Sequence, residues 1–451
     1  LTFAQDSPEF KYMQERRSAL GGSFHRRKTS APALQVPPLS AFEPLLKASG
    51  EGHESSTTMA YVRILNILVK DKQIGKHIVP IVADESRTFG MEGMFRQLGI
   101  WSSVGQLYTP QDADQLMYYK EDKHGQILQE GICEAGAMSS WIAAATSYST
   151  HGVQMIPFFI FYSMFGFQRI GDLAWAAGDM RCRGFLIGGT AGRTTLNGEG
   201  LQHEDGHSHI VASTIPNCVS YDPAFAYELA VIVQDGLRRM YQEQQDIYYY
   251  ITVMNENYSH PAMPNGVEND ILKGMYLFKE GDSDDGNPRV QLLGAGTILR
   301  EVIAASEILK SEHQIHADIW SVTSFNELRR EALSVARWNM LHPEQPKRLS
   351  HVQNCLNGRS GPVIAASDFM KIYADQIREF IPGKYRVLGT DGFGRSDTRE
   401  KLRHFFEVDR YYITVAALNA LAEDGKIPQQ QAADAIQRYG INPEKPDPVI
   451  S

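Results

Sequence analysis

The sequence predicts an α/β protein made of two mostly parallel-sheet α/β domains, and three observations carry that prediction. Short apolar runs alternate with helical patterns along most of the chain, and strands separated by helices build parallel sheets covered on both faces. The 451 residues, 43% hydrophobic and 22% charged, are an ordinary globular composition, long enough for two or three domains with a large buried core. One stretch, 257–288, is rich in Pro, Gly, Asn and Asp and splits the alternation in two.

Taken in order, residues 1–45 read as an extended lead-in. "EFKYMQERRSAL" has helical character, but Gly and Pro interrupt "GGSFHRRKTSAPALQVPPLS". "TTMAYVRILNILVKD" places apolar residues at helical spacing, and "HIVPIVADES" is a short apolar run ending in acids, so helix then strand is predicted. The pattern continues with "EAGAMSSWIAAATSYS" as a buried small-residue helix, "VQMIPFFIFY" as a strand, "QRIGDLAWAAGDM" as a helix and "GFLIGG" as a strand. "PAFAYELAVIVQDGLRRMYQ" is then a helix and "DIYYYITVMNE" a strand. Beyond 257–288, "RVQLLGAG", "ADIWSVTS", "GPVIAAS" and "YRVLGTDG" read as strands, separated by helices such as "TILREVIAASEILKS" and "NELRREALSVARWNML". The smaller second unit closes on the helix "YYITVAALNALAEDG", and no internal repeat is present.

Bulk properties exclude several function classes. A formal net charge of −9 leaves no overall basic field for nucleic acid, and Arg16, Arg17, Arg26, Arg27 and Lys28 are confined to one short stretch. Cys133, Cys182, Cys218 and Cys355 are widely spaced, without a CxxC pair, which fits a reducing cytoplasm rather than a disulfide framework. The run "IPFFIFYSMFGF" is too short to span a bilayer and is followed by Arg169, so no membrane segment is expected. No signal peptide is recognisable, and the start at Leu1 rather than Met points to a piece of something longer.

Ligands of open parallel sheets bind outside the carboxyl ends of the strands. Four groups of residues fall there. Asp84 and Glu85 follow "HIVPIVA"; Glu134 opens the small-residue helix; Tyr162, Phe165 and Arg169 follow "IPFFIF"; His203, His207 and His209 follow "GFLIGG". His203, Glu204 and His207 spell HExxH, which on a helix is a zinc site with a general base. Gly198, Gly200 and Gly206 deny the segment that helix, so a loop histidine meeting a substrate is the better reading and no metal ligands are assigned. His207 and His209 receive no role.

Glu134 is flanked by Ile132, Cys133, Ala135, Gly136, Ala137 and Met138. Desolvation there disfavours the charged form, and a carboxyl of raised pKa can share a proton with a ring nitrogen. The bland alternative is a first-turn acid favoured by the helix dipole. Tyr162 and Phe165 offer a flat aromatic face to a planar ring, with core packing as the alternative. Arg169 binds a carboxylate or phosphate, or else pairs with an acid such as Asp172.

The blocks "PIVADESRTFGMEGMFRQLGIWSS", "QEGICEAGAMSSWIAAATSYSTHG", "PFFIFYSMFGFQRIGDLAWAAGDMR" and "TAGRTTLNGEGLQHEDGHSH" resemble the homodimeric, bacterial-type pyruvate dehydrogenases, over essentially the whole chain. That resemblance implies the transketolase-like thiamine diphosphate fold. Residues 46–262 would form the pyrimidine-binding domain and 263–451 the C-terminal domain. It implies oxidative decarboxylation of pyruvate and acetylation of the lipoyl domain of dihydrolipoyl acetyltransferase, in a homodimer with a second copy of the chain. By the same resemblance Glu134 hydrogen-bonds N1′ of the cofactor's aminopyrimidine, with Ile132, Tyr162, Phe165 and Arg169 as further cofactor-binding residues. His203, Asp84 and Glu85 line the substrate side, His203 as proton donor or hydrogen-bond partner. Residues 104–120 would form a mobile loop that orders over bound intermediate.

One departure qualifies the resemblance. The family holds the diphosphate and Mg2+ on a separate domain carrying a GDG motif with a downstream Asn. No GDG occurs in this sequence, and "GDM" at 178, "GDSDDG" at 281 and "TDGFG" at 390 are not substitutes. The chain is therefore expected to be the carboxyl half of a longer enzyme, inactive in isolation, completed by a diphosphate-binding domain outside it. A non-catalytic assembly fragment and the β-type subunit of a two-subunit 2-oxoacid dehydrogenase are the competing readings.

Overall fold

The computed structural model describes residues 2–22, 27–83, 86–198, 200–282 and 286–451. Its first half is organised on a six-stranded parallel sheet. In chain order the strands are β1 (Ile78–Val82), β2 (Leu128–Gln129), β3 (Ile156–Tyr162), β4 (Phe185–Gly189), β5 (Cys218–Tyr221) and β6 (Tyr248–Thr252). They lie side by side as β2-β1-β3-β4-β6-β5, and every pairing is parallel. The main helices of this half are α1 (Pro8–Ala19), α2 (Thr57–Leu68), α3 (Glu134–Ala145), α4 (Ser163–Asp179), α5 (Ser208–Ala212) and α6 (Ala226–Leu237).

Both faces of this sheet are buried, and the alternation along β3 shows how. Ile156, Phe158 and Ile160 join one core cluster with residues of α2 and α6. Phe159 and Phe161 point the other way, into a second cluster with Met138 and Trp141 of α3 and Ile170 and Ala174 of α4. A strand covered on both sides reads as a continuous apolar run, which is why "IPFFIFY" lacks polar alternation. Trp141 is fully buried, and its Nε1–H donates to the Phe185 carbonyl at 3.0 Å, pinning α3 across β4.

The second half is a five-stranded sheet of β7 (Met275–Lys279), β8 (Arg289–Gly294), β9 (His316–Val322), β10 (Val363–Ala366) and β11 (Tyr385–Leu388), in the order β11-β10-β8-β9-β7. Its pairings are parallel except β7, which runs antiparallel to β9 at the edge. Helices α7 (Leu299–His313), α8 (Phe325–Leu341), α9 (Arg399–Phe405), α10 (Arg410–Glu423) and α11 (Gln429–Arg438) cover it. The two sheets meet near the carboxyl ends of β5 and β9. The Asp222 amide donates to the Thr323 carbonyl (2.8 Å), Ser324 Oγ donates to the Ser220 carbonyl (2.6 Å), and Asn326 Nδ2 donates to Ser220 Oγ (2.6 Å).

Three sequence readings need correction. The stretch 257–288 is not bare punctuation, because it contains the helix Glu268–Lys273 and the edge strand β7. "NCVSY" holds strand β5, unpredicted because four residues give too little periodicity. The closing helix α10 is followed by α11, whose mostly polar "QQQAADAIQR" buries only Ala432 and Ala435.

Candidate active site

The chain leaves β1 toward β2 on one side and leaves β3 toward β4 on the other. The β1/β3 boundary is therefore the switch point of the sheet, where two connections diverge and open a crevice at the strand ends. A cavity of about 230 Å³ occupies it, lined by Ala83, Phe89, Ile132, Glu134, Phe161, Tyr162, Phe165, Arg169, Gln202 and His203. Six of the eight residues singled out from the sequence are among these. The other two, Asp84 and Glu85, lie outside the described residues.

Each side chain reaches the cavity for a local reason. Tyr162 is the last residue of β3 and caps α4, which starts at Ser163 with no intervening loop. Phe165 and Arg169, one helical turn apart on α4, share a face, and the Arg169 guanidinium lies 4.2 Å from the Phe165 ring centroid. Gly166 lets this helix approach the sheet: a Cβ there would sit 2.9 Å from Cδ2 of Phe161 and closer still to its Cε2. Glu134 is the first residue of α3, and the residue is buried, 9% exposed.

Glu134 Oε1 accepts from Arg169 Nη1 at 2.6 Å, which leaves Oε2 for a second donor. The purely apolar setting inferred from its sequence neighbours is thus interrupted by a cation. Arg169 pairs with Glu134 and not with Asp172, whose carboxylate accepts from the Leu173 amide. Because α3 and α4 are adjacent, a partner 35 residues away lies nearer than the helical neighbour.

The aromatic groups do not form one flat face. Tyr162 and Phe165 meet edge-on, 6.1 Å apart with 81° between their planes. The His203 ring packs against both, 5.0 Å from Tyr162 and 5.1 Å from Phe165. Phe89, 5.3 Å from Tyr162, extends this wall. Ile132 stands at the rim, 75% exposed.

The HExxH letters dissolve in three dimensions. His203 ends the one-turn 3-10 helix Leu201–His203, Glu204 is extended, and His207 caps α5 without belonging to it. His207 bonds Gln168 Nε2 on α4 at 3.0 Å. His209 is fully buried, stacked on Tyr373 at 5.0 Å, with Nε2 on Thr252 Oγ1 at 2.9 Å, and burial pushes its pKa down to about 3. The three imidazoles therefore face three different surroundings.

Among the interior acids, Asp222 and Asp368 escaped the sequence reading, which named Glu204 only within the HExxH letters. Burial pushes Glu204 up to about 8, Asp222 up to about 8 and Asp368 up to about 7. Asp222 follows β5 and Asp368 follows β10, the position that singled out Asp84 after β1, so the same signal was present. Segment 104–120 is tied to the stretch that follows β1 by the Arg87–Asp112 ion pair.

Comparison with known proteins now bears on this geometry. The pyruvate dehydrogenase E1 component middle domain matches residues 41–261, and the transketolase-like C-terminal domain matches 274–409. The pyruvate dehydrogenase E1 components of Cupriavidus necator and Escherichia coli K12 are 66% and 56% identical to this chain, over its full length. The chain belongs to the pyruvate dehydrogenase E1 component family. It spans about half the length of these E1 relatives, 50% in both cases.

Among solved structures the chain shares its fold with transketolases. Campylobacter jejuni transketolase superposes with a TM-score of 0.60 at 17% identity, covering 91% of this chain and 52% of that one. A split gene transketolase, an inactive β4 tetramer, superposes with a TM-score of 0.54 at 17% identity, covering 82% of this chain and 99% of that one. Two mostly parallel α/β sheets are the fold common to both. No helix of the described residues is long and apolar enough to cross a membrane.

Proposed function

We propose that this chain supplies the pyrimidine-facing half of a thiamine diphosphate site for oxidative decarboxylation of pyruvate and acetylation of a lipoyl group. The observation that carries the reading is the convergence of Glu134, Tyr162, Phe165 and His203 on one cavity at the switch point of the sheet. The residues fit one ring of that cofactor: aromatic walls suit a planar heterocycle, and a buried carboxylate with one open oxygen suits a ring nitrogen. The volume, about 230 Å³, falls below the roughly 300–1,000 Å³ of complete ligand pockets. That is the size needed for one ring of a molecule whose remainder is held elsewhere.

When bound, the cofactor supplies the carbon nucleophile and the electron sink for decarboxylation. Glu134 Oε2 holds or accepts a proton at the pyrimidine nitrogen, while Arg169 keeps the carboxylate oriented through Oε1. Tyr162, Phe165 and Ile132 exclude water from the ring. His203, between the two aromatic rings, presents its imidazole to the substrate; Asp84 and Glu85, outside the described residues, are assigned the same substrate-side role by the family resemblance. Segment 104–120 closes over the site. Mg2+ and the diphosphate sit on a domain outside this chain, and a second copy completes the assembly. Residues 46–262 act as the pyrimidine-binding unit and 263–451 as the C-terminal unit.

The reading is tested by calorimetric titration of thiamine diphosphate with Mg2+ into this chain alone and into the chain combined with the diphosphate-binding half of an E1 relative. Tight binding only in the combination supports it. Tight binding and pyruvate turnover by the 451-residue chain alone contradict it. A second reading, a β-type subunit whose partner is a separate polypeptide, is favoured by the split gene transketolase, 99% of which is covered by this chain. It predicts the same binding result with an independently encoded partner.

A further inference from the structure

Glu204 stands next to His203 in the chain, yet their side chains serve opposite directions. The His203 ring faces the cavity between Tyr162 and Phe165. The Glu204 residue is 1% exposed, and its Oε2 accepts from the backbone N–H of Arg395 at 2.6 Å, across to the loop that follows β11. Gly394 brings that loop in: a Cβ there would lie 2.9 Å from Glu204 Cβ and 2.7 Å from the Leu201 carbonyl oxygen. Three further bonds join residues 193–198, just upstream, to the same loop and to Arg399, the first residue of α9. The Gly198 amide donates to the Asp397 carbonyl at 3.2 Å, Arg399 Nε donates to the Thr195 carbonyl at 2.6 Å, and Arg193 donates to the Thr390 carbonyl.

Residues 200–204 have little regular structure of their own beyond one 3-10 turn. Ring packing on Tyr162 and Phe165 restrains the imidazole, but the irregular backbone that carries it needs its own support if the site is to meet a ring to within a fraction of an ångström. Of the four bonds to the 390–399 loop, the one made by Glu204 is nearest to His203 in sequence. We propose that Glu204 is a positioning residue: by anchoring on the Arg395 amide, it makes the 390–399 loop of the second sheet the strut that fixes His203 in the cavity. This rests on the reading of His203 as a site residue. The carboxyl acts as a neutral acceptor, consistent with burial pushing its pKa up to about 8. Glutamine, with the same shape and a carbonyl oxygen, therefore replaces it.

The test uses Glu204→Ala, Glu204→Gln and Gly394→Ala in the 451-residue chain, read by hydrogen exchange and by the imidazole NMR signals. Glu204→Ala is expected to speed exchange about tenfold or more in peptides covering both 198–205 and 391–398, the scale set by losing one buried hydrogen bond. β3 and α6 should keep their rates. The His203 Cε1–H resonance should move, with those of His260 and His313 unmoved. Glu204→Gln should restore both readouts, and Gly394→Ala, which wedges the contact from the other side, should reproduce the alanine effect. The proposal is overturned if Glu204→Ala leaves the His203 signal in place, if exchange rises uniformly through the chain, or if Gln behaves as Ala. These readouts do not involve turnover, so they stand or fall separately from the thiamine diphosphate reading.

Discussion

Two glycines on helix α4 should respond in opposite senses to the same substitution. Replacing an interior helical Gly by Ala gains up to about 1 kcal/mol, from backbone entropy lost by the unfolded chain and from helix propensity. At Gly171 nothing lies within 4 Å of the added Cβ, so Gly171→Ala should stabilise by roughly 0.5–1 kcal/mol. At Gly166 the Cβ would lie 2.9 Å from Cδ2 and 3.0 Å from Cζ of Phe161. That ring cannot yield cheaply, because it is 1% exposed, packs 4.8 Å from Phe159 and stacks on Tyr250 with 6° between the planes. Overpacking of this kind costs about 1–3 kcal/mol, more than the propensity gain, so Gly166→Ala should be destabilising by about 1–2 kcal/mol net. Urea unfolding followed by circular dichroism measures both variants against the parent. Gly166→Ala with a midpoint at or above the parent's would refute the claim that close approach of α4 to β3 is what places Phe165 and Arg169.

Further outcomes follow from the same contacts. Stability should fall as pH rises from 6.5 to 8.5: Glu204, Asp222 and Asp368 have folded values near 8, 8 and 7, above those of unfolded carboxyls, so their contribution is lost as pH rises through 7–8. Urea midpoints at the two pH values check this, and a flat or rising profile contradicts it. His209 runs the other way: its value is depressed to about 3, so its contribution is present above about 6.5 and is lost as pH falls through about 3. Arg169→Gln should change stability by less than about 1 kcal/mol, since the Arg169 side chain is 48% exposed. A loss of several kcal/mol in urea unfolding would show the Arg169–Glu134 pair to be structural. Phe165→Ala in the combined enzyme should weaken cofactor binding by about 0.5–1.5 kcal/mol through lost ring contact, and unchanged calorimetric affinity would remove Phe165 from the cavity wall's function.

Much of the fold was legible because long strands and helices carry their period in the sequence. β3, β4, β6 and α3, α4, α6 were read at or near their observed positions for that reason. β5 and β7 were not, since one is four residues long and the other lies within a Gly- and Asp-rich stretch. The site was legible to the extent that strand ends are. Glu134, Tyr162 and His203 each follow or end a strand of one sheet, and a parallel sheet brings such residues together. The pairing of Arg169 with Glu134 and the anchoring of Glu204 on Arg395, 191 residues away, leave no local trace, because they depend on how helices and sheets pack.

The central claim is that Glu134 acts on a ring nitrogen in the switch-point cavity. Glu134→Gln, introduced into the chain combined with the diphosphate-binding half of an E1 relative, tests it most directly by the rate of pyruvate decarboxylation. The account predicts a loss of about 10²–10⁴-fold, the range for removing a positioned acid–base group, with a urea midpoint close to the parent's. Decarboxylation at the parent rate would contradict it.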